Sequence, residues 1–391
     1  MRFRLSRARS GALRPEGHTP GRSLLCVISL FALASWAFLY GQSADSRSAE
    51  IISGAGTYTL EWRRHYQLQT GLVQEGIAAD NGALWLITGA GPGKPEGSVT
   101  KIGPDGQLLA SYDPLIPLKP LGWVGSLALA VSGQSVGLLA SLVSGGREQI
   151  FEGAFFSRVG AGGLGNPVRI ASPGPQFLTM TGTGTGEFIA AGDQEPLTLV
   201  KLDSGGKVLW RRTFSPKLVL PTVSVGSSGD IFVLSQEGSD ILLQVLNSSG
   251  FVLRSKRIAA KQGVVVADPN GDCSLLFTTR FGGKDNKVYL MALDRDLNQL
   301  DRVETPLVGW GGRTYQLISS PHGHLIIGEG PEPNPRNKKI LAGYDSSGAL
   351  IWQQSISSSV QLPLLCPFRS GFYLVRGLSK GEGMDVEKYI Y

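Results

Sequence analysis

Seven segments of the chain repeat one pattern: a short apolar run, a turn containing Gly, and a second apolar run. They are IAADNGALWLIT (77–88), LALAVSGQSVGLLA (127–140), FLTMTGTGTGEFIAA (177–191), VSVGSSGDIFVL (223–234), VVVADPNGDCSLLF (264–277), LISSPHGHLIIG (317–328) and LLCPFRSGFYLV (364–375). Their turn glycines, Gly82, Gly133, Gly186, Gly229, Gly271, Gly323 and Gly371, lie 51, 53, 43, 42, 52 and 48 residues apart. That period belongs to propellers rather than to leucine-rich or helical repeats. Tight hairpins need a residue that accepts positive φ, which is why Gly falls at each turn.

A second hairpin follows in most repeats: VTKIGPDGQLLASYD (99–113), LVKLDSGGKVLWRRTF (199–214), LLQVLNSSGFVLRSKRI (242–258), VYLMALDRDLNQLDRVE (288–304) and ILAGYDSSGALIWQQSI (340–356). The second repeat is looser, with 155–159 and 168–170 flanking a Gly-rich turn. Two hairpins make four antiparallel strands, the unit of a propeller blade. The seventh repeat stops at VEKYIY (386–391) one strand short, and TYTLEWRRHYQL (57–68) supplies a candidate for it. Its Trp62-Arg63-Arg64 matches Trp210-Arg211-Arg212 of a fourth strand. The pattern therefore predicts an all-β, seven-bladed β-propeller over 57–391, its last blade closed by the N-terminal strand so that no edge stays open.

Ahead of this lies SLLCVISLFALASWAFLY, Ser23–Tyr40, 18 residues without a charge and preceded by Arg2, Arg4, Arg7, Arg9, Arg14 and Arg22. A basic flank, an apolar stretch and small residues beyond it describe an export signal, cleaved before Ala44. The alternative is an uncleaved anchor of just spanning length. Residues 1–43 are thus signal or anchor and 44–56 a linker, and both readings place the propeller outside the cytoplasm. Membrane contact is expected only through the N-terminal segment, if it is uncleaved. Without 1–43 the chain carries 31 basic and 30 acidic residues, so the pI of 9.2 comes from the leader. A nucleic-acid partner is not expected, because such proteins keep a basic excess in the folded part. Cys273 and Cys366 sit in different repeats and read as separate buried thiols.

The segments LVKLDSGGKVLWRRTF and ILAGYDSSGALIWQQSI resemble the repeats of quinoprotein-type (PQQ-like) propellers. Asp203, Gly206 and Trp210 share their spacing with Asp345, Gly348 and Trp352. The likeness spans about 57–391 at the level of the repeat, and implies the fold rather than an activity. Quinoprotein dehydrogenases have eight blades and a vicinal cysteine pair, which this chain does not match, so no quinone or other cofactor is expected. The non-catalytic envelope scaffolds with similar repeats imply a binding role.

Few residues suggest chemistry. His322 and His324 flank Gly323 and read as solvated turn histidines, with no third metal ligand in view. Asp268, Asn270 and Asp272 read as an ordinary Asp-Pro-Asn-Gly turn, since Gly271 falls one position early for a calcium loop. GTGTGE (182–187) joins two strands and lacks the helix a phosphate loop requires. His65 lies on the closing strand without a nucleophile in sight. The loops between second and third strands are longer: GAGPGKPEG (89–97), RFGGKDNK (280–287), GEGPEPNPRNKK (328–339) and RGLSKGEGMD (376–385). They share one face with the inter-blade loops PLGWVG (120–125) and PLVGWGGRTY (306–315). Trp123, Trp310 and Tyr315 are expected there with Arg280, Lys284, Arg313 and Arg336, residue types that dominate binding hot spots. Packing of the tryptophans between blades is the competing expectation. Together these features predict an exported binding or scaffolding module for a protein or carbohydrate partner. The alternative is a propeller enzyme (hydrolase, lyase or sugar-active oxidoreductase) with its site in the central channel.

Overall fold

The computed structural model describes the chain from Tyr58 to Tyr391, except 68–72, 79–80, 89–97, 113–122, 145–149, 161–162, 172–175, 193–195, 215–217, 281–285, 310–314, 332–337, 358–362 and 378–382. Among the described residues every regular element is a strand. The first, β1 (Thr59–Tyr66), stands apart from the six blades that follow it in the chain. Blade one is β2–β5 (Val73–Ala78, Leu84–Thr88, Ser98–Ile102, Leu108–Tyr112). Blade two is β6–β10 (Trp123–Ser132, Ser135–Ser144, Ile150–Gly160, Gly163–Leu164, Val168–Ala171), the two-residue β9 being an extra partner of β8. Blade three is β11–β14 (Phe177–Gly182, Phe188–Gly192, Thr198–Leu202, Val208–Thr213), and blade four is β15–β18 (Leu218–Val225, Ile231–Glu237, Asp240–Leu246, Val252–Ile258). Blade five is β19–β22 (Gln262–Ala267, Cys273–Thr278, Lys287–Leu293, Gln299–Val308), and blade six is β23–β26 (Tyr315–Ser320, Gly323–Glu329, Lys338–Tyr344, Leu350–Ser357). Blade seven joins both ends of the chain: β27 (Leu364–Phe368), β28 (Gly371–Gly377) and β29 (Met384–Ile390) pair in series, and β1 is added outside β29.

The first strand of each blade touches the first strands of both neighbours, all the way round from β2 to β27 and back to β2. Seven first strands therefore enclose one central channel. Each of the seven blade-to-blade interfaces also holds its own apolar cluster. Alternation along a strand serves two clusters at once. Leu84 and Leu86 face blade seven, while Trp85 and Ile87 face blade two. Inner strands consequently read as unbroken apolar runs, as strands buried on both faces do. Outer strands such as β14 alternate with solvent instead.

Six of the seven hairpin glycines named above adopt positive φ. Gly371 does not; a Cβ there would fall 1.9 Å from the Tyr389 carbonyl oxygen, so close approach of the backbone holds the glycine.

In blade three the Asp–Gly–Trp spacing builds a blade-to-blade latch. Asp203 turns the β13–β14 hairpin by accepting bonds from the Gly205 and Lys207 amides, each 2.9 Å. Asn247, Asp294 and Asp345 do the same in the next three blades. From the outer strand beyond that turn, Trp210 donates its indole proton to Ser248 and Arg212 donates to Ser249, both on the hairpin of blade four. Trp62 repeats the contact at the seam, donating to Pro104 of blade one at 2.9 Å. Blade four has Arg254 and Lys256 at these positions, which engage Asp296 and the Leu297 carbonyl of blade five.

The seam is also paired by charge. The β1–β29 ladder runs from Thr59 opposite Ile390 to Tyr66 opposite Met384. Glu387, almost fully buried, takes Arg63 from β1 at 2.8 Å, Arg376 from β28, and the Tyr389 hydroxyl. Lys388 pairs with Glu61 at 2.7 Å. His65 bonds Asp385 at 3.0 Å, so its role here is to tie the closing strand.

Candidate functional site

Only part of the loop-rich face lies among the described residues. Trp310, Arg313, Arg336 and Lys284 fall outside them. The backbone of Trp123 opens β6, but its side chain is not described. Arg280 is exposed at the end of blade five's second strand, where its carbonyl oxygen accepts from Thr278 and the buried Asn286. Tyr315, expected on the binding surface, lies in the core between blades five and six. It is the first residue of β23 rather than part of the loop, so its ring points into the interface. Its hydroxyl donates to the Gln262 carbonyl, and burial raises its pKa.

At the other end of the channel, where first strands turn into second strands, the blades leave a recess of about 430 Å³. Its walls are residues 223–227 of blade four, 265–269 of blade five, 317–319 of blade six, and Pro367 of blade seven. Among these lining residues Asp268 alone is charged. The Asp-Pro-Asn-Gly turn forms as read from the sequence, with the Gly271 amide bonded back to the Asp268 carbonyl. That turn directs the Asp268 carboxylate inward, to a cluster the sequence does not reveal.

Ser319 of blade six donates to one carboxylate oxygen at 2.7 Å, and Ser274 of blade five donates to the other at 2.9 Å. His324 is not a solvated turn residue: it is 7% exposed, and its Nε2 lies 3.1 Å from Ser274 Oγ. Gly323 and His324 belong to β24, and the residue after the turn faces blade five, whereas His322 packs its ring on Tyr391.

Proton counting fixes what this group can do. A serine hydroxyl has one proton, and Ser274 gives it to Asp268. Nε2 of His324 must therefore be the donor toward Ser274, leaving Nδ1 bare. Nδ1 has no hydrogen-bond partner and sits 3.7 Å from Asp268 Oδ1. Burial holds the His324 pKa below its usual value, against the opposing pull of Asp268 and Asp345. A hydrolytic triad needs the serine proton to pass to histidine; here it points to the carboxylate, and Ser274 has no exposed surface. The four side chains are a polar tie between blades five and six, with one carboxylate edge at the channel mouth.

Neither family models nor characterised proteins match the chain by sequence. Solved structures do match by shape. Virginiamycin B lyase from Staphylococcus aureus superposes with a TM-score of 0.56 at 14% identity, covering 84% of this chain and 99% of that one. The β-propeller domain of Cps50 (Swd1) from Myceliophteria thermophila gives 0.52 at 13% identity, over 90% and 99% of the two chains. YCF48 bound to D1 peptide gives 0.52 at 12%, over 85% and 96%. At such identities the likeness establishes the β-propeller class and leaves activity open.

Proposed function

We propose that this chain is an exported binding or scaffolding module, whose protein or carbohydrate partner meets the face bearing the long loops. The observation that carries this is the closed state of the Ser274–His324–Asp268 group: its geometry suits holding blades together rather than attacking a substrate. A propeller enzyme working in the channel would need two or more convergent acid–base groups at the mouth, whereas the described walls of the recess offer Asp268. Loops on a rigid scaffold are where binding residues concentrate, and the similarly folded YCF48 holds a peptide. Export follows from the Arg-rich flank and the apolar Ser23–Tyr40, and N-terminal sequencing of the mature protein distinguishes cleavage before Ala44 from anchoring.

The test is Trp310→Ala, read as capture of a partner first identified by in-cell cross-linking. Loss of an interfacial Trp costs about 2 kcal/mol, roughly thirtyfold in affinity, with the melting temperature nearly unchanged. A variant that unfolds readily makes Trp310 a packing residue. One that stays folded and binds normally places the partner elsewhere.

A further inference from the structure

The recess at the channel mouth has a ligand chemistry of its own, on the face opposite the long loops. We propose that it binds a cationic group, an ammonium or guanidinium carried on an aliphatic stem.

The first ground is uncompensated charge. The Asp268 carboxylate accepts from two uncharged hydroxyls, and the neighbouring His324 bonds Ser274 rather than the carboxylate. Among the described residues no lysine or arginine is paired with it, unlike Glu387 at the seam. A carboxylate offers about four acceptor positions; the two serines occupy one on each oxygen. The remaining capacity suits further N–H donors, and the site is partly desolvated, which strengthens a charge-assisted bond.

The second ground is shape and lining. The volume of about 430 Å³ falls within the roughly 300–1,000 Å³ of small-ligand sites. Val223, Val225, Val265 and Leu317 supply aliphatic wall against which a methylene stem packs, while Asp268 meets the head. An anionic ligand would be repelled by the carboxylate. A bare divalent cation needs several oxygen ligands of the calcium or magnesium kind, and the recess supplies one carboxylate. A lysine or arginine side chain of a polypeptide and a free alkylamine share the required chemistry.

The experiment is calorimetric titration of residues 44–391 with n-butylamine, n-butylguanidine, and Nα-acetyl-lysine and Nα-acetyl-arginine methylamides. The neutral isosteres Nα-acetyl-norleucine and Nα-acetyl-citrulline methylamides serve as controls. Saturable binding with Kd on the order of 1 mM, at least tenfold tighter for cations than for isosteres, is the expected result. Tighter binding of the acetylated residues identifies a polypeptide as the source, and tighter binding of the simple amines a free small molecule; both support the proposal. Asp268→Asn should abolish binding, whereas Ser319→Ala, which keeps the charge and frees an acceptor position, should retain it. Equal binding of cations and isosteres, or no saturation by any cation well above about 10 mM, overturns the proposal. So does loss of binding in a folded Ser319→Ala. The isostere comparison uses the unsubstituted protein and holds even if Asp268→Asn fails to fold. Failure here leaves the loop-face proposal intact, because that proposal concerns the opposite end of the channel.

Discussion

Gly250→Ala tests whether the latch between outer strands and neighbouring hairpins stabilises the ring. Gly250 has φ +79°, and an added Cβ would lie 2.9 Å from Arg212 Cγ and 3.0 Å from Trp210 Cη2. The arginine stem can yield, but the indole is rigid and held by its bond to Ser248. Left-handed backbone costs an alanine about 1–2 kcal/mol, and overpacking adds about 1–3 kcal/mol. Gly271 supplies the control within the same chain: φ is +93°, yet nothing lies within 4 Å of its added Cβ. Gly271→Ala should therefore lose about 1–2 kcal/mol and Gly250→Ala about 2–5 kcal/mol. Equilibrium urea unfolding measures both, as a drop in midpoint at unchanged slope. Adding Trp210→Ala to Gly250→Ala should recover part of the overpacking, so the double variant should lose less than the sum of the two singles. Equal losses for Gly250→Ala and Gly271→Ala, or strict additivity with Trp210→Ala, would show that the indole does not bear on the turn.

Three further outcomes follow from the buried polar groups. Glu387→Gln should cost about 3 kcal/mol in urea unfolding, because it strips a buried partner from two arginines, while Glu304→Gln, which breaks a pair with Lys287 exposed on both sides, should cost under about 1 kcal/mol; similar losses would contradict the burial argument. His324 is held neutral by burial, with its folded pKa below the unfolded value of 6.5. Stability is then complete above about pH 6.5 and falls as the pH drops toward the folded pKa, because the unfolded chain takes up the proton first. His324→Gln should flatten that stretch of the stability profile, and an unchanged profile would remove His324 as its cause. The Cys273 thiol is pushed up to about 12, chiefly by burial and then by Asp268, Asp272 and Asp294; it should resist alkylation at pH 8 until the protein unfolds, and rapid native labelling would refute this.

The blades and the seam were legible because both follow local rules. Period-two alternation and turn glycines mark each hairpin, and Trp62-Arg63-Arg64 announces a fourth strand by its likeness to Trp210-Arg211-Arg212. The separate buried thiols were legible too: Cys273 and Cys366 are both buried, in different blades, and are not joined as a disulfide. The polar tie was not, since Ser274 and His324 are 50 residues apart and meet only when blades five and six stack. His324 read as a turn residue because two positions from a hairpin apex the side chain chooses solvent or neighbour by blade packing. Tyr315 misled in the opposite sense: its neighbours in sequence suggested a loop, while the strand begins at its own position.

The seam has a consequence for the order of events in biosynthesis. His65 and its partner Asp385 are separated by 320 residues. At about 5–20 residues per second, β1 leaves the ribosome roughly 16–64 s before the strand that receives it. Throughout that interval the first-made strand has no ladder to join, and blade one lacks the indole that caps its hairpin. Nascent blades can stack on one another, but the circle waits for the last few residues. A chain truncated just before Met384 would therefore lose β29 and leave β1 unpaired, so its damage would reach blade one at the far end of the sequence.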